Sequence, residues 1–187
     1  KSFSSAQLNR ILCSNAARFP GLLRFIIRFL INHGRFENLD ELIDSIASFE
    51  KIQEVYEFIY NFLMNSYSDN ERNIARTVLS LVRASSISLN EKECFELSQR
   101  LVDITPIEWA NICRALEQFE IIHGDYWNIQ NEETEKFVDK LLSKEELSSA
   151  YEMLGDYTME LLSKDQSNKI YEYSSLCNDE IFDRSKG

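Results

Sequence analysis

Few residues in this chain have chemistry to offer, and they are widely scattered. His33 and His123, the cysteines Cys13, Cys94, Cys113 and Cys177, and the carboxylate pairs Glu132-Glu133 and Glu145-Glu146 could in principle hold a metal or move a proton. No Cys-x-x-Cys pair occurs and neither histidine is close in sequence to a cysteine, so a structural zinc site is not expected. The cysteines fall among helical apolar positions and read as reduced core residues. The paired acids fall on polar helix faces or near helix starts, where the dipole favours them, and read as solvated. His123 has no nucleophile or orienting partner beside it and reads as a turn residue rather than an acid or base. Trp109 and Trp127 could stack on bases as in single-strand binders, but read as core. Gly-x-x-x-x-Gly-Lys-Ser/Thr, Gly-x-Gly-x-x-Gly and Gly-x-Ser-x-Gly are all missing from the sequence. The expectation is a non-enzyme, with no catalytic or metal-ligating residue and no P-loop hydrolysis by this chain alone.

The elements that would position these residues are clearest from Thr105 to Ile129. Thr105 is placed to cap a helix, Pro106 fits its first position and Glu108 completes a capping box, while Trp109, Ile112, Cys113, Leu116 and Phe119 share an apolar face. Ile121-Ile122, then His123-Gly124-Asp125, then Tyr126 to Ile129 predict a short β-hairpin, with Gly124 supplying the difficult backbone angle. A helix followed by a lone hairpin, in a chain otherwise patterned as helix, suggests a winged helix.

Around it the chain reads as mainly α, divided into three parts. Residues 1–68 predict a helical bundle: a helix from about Ser5 to Asn15, an apolar helix opened by Pro20 and stopped by Gly34, a short amphipathic helix through Leu39 and Ile46, and a longer one ending near Tyr67. A polar break, Ser66 to Asn70, marks the boundary. Residues 69–142 hold a helix through Ile74 and Val82, Ile87 as a one-residue strand, a helix capped by Asn90 and Glu93, and then the Thr105 helix and hairpin. Helix, short extended piece, helix, helix, hairpin is the winged-helix order. Residues 143–187 predict a helix capped by Ser143 and Glu146 and another from about Ser167, the start of a helical-repeat array. Few Gly and Pro, 5 and 2, agree with a helical class.

Charge narrows the partners. The net of −11 arises after residue 68: residues 69–142 hold 8 Lys+Arg against 14 Asp+Glu, and residues 143–187 hold 5 against 10. The Pro106–Phe119 helix has Arg114 as its one cation. Phosphate-backbone binding needs clustered cations, so nucleic acid is not an expected partner and protein is. The most apolar run, Leu22 to Ile31, contains Arg24 and Arg28 and is about half the ~20 residues a membrane span needs, so it predicts a buried helix. With Lys as first residue and no signal pattern, a cytoplasmic fragment of a longer protein is expected.

Taken in order, these parts resemble the region after the ATPase core in NACHT-type STAND NTPases, in the branch of nephrocystins and the telomerase protein component. Arg18-Phe19-Pro20-Gly21-Leu22-Leu23-Arg24-Phe25 is similar to that family's Asn-Pro-Leu-hydrophobic-Leu-Arg segment, and Gly34-Arg35-Phe36-Glu37-Asn38-Leu39-Asp40 to its Gly-x-x-Glu-x-Leu-Asp. Val78-Leu79-Ser80-Leu81 with Leu89-Asn90-Glu91-Lys92-Glu93, then Pro106-Ile107-Glu108-Trp109, Ala115-Leu116-Glu117 and Tyr151 to Tyr157, match further family stretches in the same order. The resemblance implies that Pro20 lies against the adenine of a nucleotide bound by the parent protein. It also places Asn131 where many members have a phosphate-sensing His. Asn can donate a hydrogen bond there but supplies no cation.

The resemblance implies a non-catalytic regulatory and interaction arm. This arm would close over the nucleotide-bound core of the same parent chain and relay its state to C-terminal repeats. No cofactor belongs to this chain alone; ATP or ADP is implied for the parent. The rival expectation is a PCI-like scaffold, in which helical repeats end in a winged helix used for subunit assembly. If a missing core normally covers the arm, apolar exposure is expected at Phe25, Phe29 or Tyr151.

Overall fold

Side-chain caps set several of the helix starts in the computed structural model, which describes residues 3–35 and 37–163. Ser4 with Gln7, Ser68 with Glu71, Asn90 with Glu93 and Thr105 with Glu108 each form a reciprocal box, satisfying two backbone donors that a helix start leaves open. Among the described residues the helices are α1 (Ser5–Cys13), α2 (Pro20–His33), α3 (Leu39–Ser48), α4 (Ile52–Met64), α5 (Asp69–Ala84), α6 (Glu91–Leu101), α7 (Pro106–Glu117), α8 (Glu132–Leu141) and α9 (Lys144–Ser163). A 3-10 turn, Asn15–Arg18, joins α1 to α2. The expected first helix therefore ends two residues early, and the fourth stops at Met64 rather than Tyr67. The helix expected from about Ser167 lies outside the described residues.

A small antiparallel sheet, β1 (Leu89–Asn90), β2 (Ile122–His123) and β3 (Tyr126–Trp127), has the order β1-β3-β2. Leu89 and Ile122 both stand opposite Trp127, and His123 opposite Tyr126. Gly124, at φ +64, makes the turn that an L side chain resists. The extended piece predicted at Ile87 falls at Leu89–Asn90 instead. Ile87 is half exposed, whereas Leu89 is buried against Trp127, so pairing follows the residue that can be buried on the sheet's inner face.

The elements share one run of buried residues from Ile11 to Ala150. α1 packs on α3, α4 on α8, and the long α5 on α6, α7 and α9. Ion pairs fasten the edges. Arg10 holds Asp40 and Asp44 between α1 and α3. Arg83 holds Asp139 at 2.6 Å and Glu135 at 3.1 Å between α5 and α8, and Arg100 holds Glu160 at 2.8 Å between α6 and α9.

Phe25 and Phe29 are buried, correcting the expectation that they face a missing core. Phe25 stacks on Tyr56 at 4.6 Å and Phe29 meets Phe62 edge-on at 5.2 Å, so α4 covers that face. Tyr151 is exposed as expected. Cys94 is buried and Cys113 half-buried, but Cys13 is exposed at the last position of α1, so it is not a core residue; Cys177 lies outside the described residues.

Gly34 ends α2 for a different reason from the one its sequence position suggests. Its backbone is extended, at φ −64 and ψ 120, not left-handed. A Cβ there would meet the Leu30 carbonyl oxygen of α2's own last turn at 2.6 Å and the tip of the Leu39 side chain at 2.7 Å, so the residue lets the chain leave α2 tightly against its last turn, with Leu39 of α3 packed over it. Gly34→Ala should destabilise the protein by about 1–3 kcal/mol, the cost of overpacking a closed site, and chemical denaturation measures it.

Candidate functional site

The geometry around Pro20 begins with its backbone. Phe19 is extended, at φ −117 and ψ 103, and gives α2 no side-chain cap, while Pro20 occupies the first turn, where its missing N–H costs nothing. α2 then divides by face. Leu22, Phe25, Ile26, Phe29 and Leu30 point into the core. Pro20, Leu23, Arg24, Ile27, Arg28 and Ile31, with Asn32, line a shallow, strongly apolar hollow of about 470 Å³ on the outside.

The two arginines join this face to the end of α7. Arg28 lies 3.3 Å from Glu117 and 3.8 Å from Glu120, and Arg24 lies 3.6 Å from Glu120. Between these acids the Gln118 amide donates to the Phe25 carbonyl at 3.2 Å, from a side chain only 3% exposed. Glu120 is the one non-glycine among the described residues with positive φ, at 55°. That left-handed residue turns the chain out of α7 towards β2, while its carboxylate stays within reach of α2.

Asn131 occupies a different kind of position. It is the N-cap of α8, and its side-chain oxygen accepts from the Glu133 N–H at 2.8 Å. Glu132, Glu133 and Glu135 crowd the first turn, and Lys136 pairs with the first two at 2.8 and 3.1 Å. Glu132 is held below the usual carboxylate range, chiefly by the Lys136 hydrogen bond. The hollow at Pro20 does not include Asn131, so the two candidate contacts are not brought together.

The two tryptophans stack on each other, at 5.4 Å with planes 18° apart, and are 7% and 1% exposed. Their faces are used within the core, and Trp109 also donates to Glu91 at 3.3 Å. Beside them lies a hollow lined by Glu91, Cys113, Arg114, Glu117, Ile122, Gly124 and Trp127. Burial, with the charge of Glu91 adding to it, pushes the Cys113 thiol up to about 12, which opposes thiolate chemistry. His123 ends β2 rather than sitting in the turn, and its buried Nε2 has no hydrogen-bond partner. No cluster of three His, Cys, Asp or Glu that could hold a metal occurs among the described residues. None of the described helices is long and apolar enough to cross a membrane.

Sequence reasoning missed Arg24, Arg28, Gln118 and Glu120 as a group. The available signal was the spacing of Arg24 and Arg28, four apart in an otherwise apolar helix, which puts both on one face.

Compared with family models, curated proteins and solved structures, the chain finds no match.

Proposed function

We propose that this chain is a non-catalytic regulatory and interaction arm of a STAND-type NTPase, with residues 69–142 folded as a winged helix between a lid bundle and the first helices of a repeat array. The arm closes over the nucleotide-bound core of its parent protein and swings away on activation. The observation that carries the reading is the outer face of α2, where Pro20, Leu23 and Ile27 offer apolar surface beside two arginines. The acid balance of residues 69–142 supports a protein partner over nucleic acid.

The test uses the parent protein with its NTPase core. Pro20→Ala should weaken ADP binding about fivefold, equivalent to ~1 kcal/mol, in a calorimetric titration. An unchanged affinity removes Pro20 from the nucleotide site, and a parent without a P-loop ends the reading altogether.

A PCI-like scaffold is the second reading, supported by the helical bundle that precedes the sheet-bearing unit. A parent that lacks a P-loop and co-purifies in fixed ratio with other subunits would favour it.

A further inference from the structure

The outer face of α2 combines two features. Leu23 and Ile27 lie four residues apart, one turn above the other, and no described residue of another element lines the hollow they form with Pro20. Every charge in α2 is positive: residues 20–33 contain Arg24 and Arg28 and no Asp or Glu. Arg24 is 79% exposed, and its contact with Glu120, at 3.6 Å, is long and wet. Arg28 is more enclosed and meets both Glu117 and Glu120, yet a guanidinium has five donors and these contacts leave some for another acceptor.

We propose that this face receives an amphipathic helix of a protein partner that carries Asp or Glu beside its apolar stripe. The stripe packs on Leu23 and Ile27 in the way a helix beds into a groove, and a carboxylate takes Arg24 in place of Glu120. A second copy of the chain fits poorly, because pairing α2 with itself sets arginine against arginine in a two-fold arrangement. The proposal does not depend on nucleotide; because the reading above lays the same face on the nucleotide-bound core, the partner helix and that core cannot occupy it together.

A displayed library of amphipathic helical peptides, with Asp, Glu, Lys, Arg and Ser randomised beside a fixed leucine stripe, tests it against the folded chain. Binders should be enriched in acids over bases by about fivefold or more. The same selection on Arg24→Glu should lose that acid preference, and on Leu23→Asp it should yield no binders. Arg24 is exposed enough that its variant keeps the fold, so it decides the matter even if circular dichroism shows Leu23→Asp to be unfolded. An acid preference that persists on Arg24→Glu, no binders on the wild-type chain, or a wild-type dimer in sedimentation that Arg24→Glu strengthens would each overturn the proposal.

Discussion

Phe119→Ala should lower stability by about 3–5 kcal/mol and the melting temperature by roughly 10 °C, a large effect for one side chain. Phe119 is 2% exposed just beyond α7, and Phe137 of α8 lies parallel to it at 5.5 Å, with planes 9° apart. Phe25 of α2 meets it at 5.6 Å, and Tyr60 and Tyr56 of α4 at 6.0 and 6.4 Å. Removing the ring leaves a cavity walled by four other aromatic rings on three helices, which cannot all collapse inward. Thermal and urea denaturation of the variant provide the check. A loss below about 1 kcal/mol would mean that the cluster repacks freely.

None of this cluster's pairings could be read from local pattern. Periodicity identifies Phe119 and Phe137 as apolar-face residues, but which helix each face meets depends on contacts far apart in sequence. Local chemistry was more legible. The Asn90–Glu93 and Thr105–Glu108 capping boxes and the turn at Gly124 stand where residue type and spacing place them, since each needs only three or four neighbouring residues. The strand expected at Ile87 missed by two residues, because a two-residue strand takes its register from its partner, Trp127. At the candidate site, Pro20 as the opening of α2 was legible for the same local reason. The reach of Arg24 and Arg28 to Glu120 was not, as it depends on where the end of α7 comes to rest.

Glu146→Ala is the second large effect, expected at about 2–3 kcal/mol, because one carboxylate serves two structures. Glu146 accepts from the Ser143 N–H at 2.7 Å at the start of α9. It also receives Arg76 of α5 in a two-pronged pair at 2.6 and 2.7 Å, while the same guanidinium donates to the Leu141 carbonyl at 2.8 Å. Both partners are about two-thirds covered, so solvent screens the pair only in part. The Arg76 hydrogen bond comes first among the influences holding Glu146 below its ordinary 4.5. A carboxylate lowered in the folded state stabilises above its unfolded value, and that stability is lost as pH falls through the folded one. Urea titrations of wild type and Glu146→Gln between about pH 7 and pH 3 should therefore converge at the acid end. A gap that stays constant with pH would mean the charge contributes nothing.

Glu120 carries two demands that favour different residues. Its backbone at φ 55 suits glycine or asparagine, since a side chain there costs about 1 kcal/mol. Its carboxylate, standing 3.6 and 3.8 Å from Arg24 and Arg28, favours an acid long enough to span from the end of α7 to α2. Glycine relaxes the turn but leaves both arginines to water, and aspartate eases the backbone but shortens the reach. Position 120 should thus accept glycine or asparagine at little net cost to stability, the eased backbone offsetting the loss of two long ion pairs.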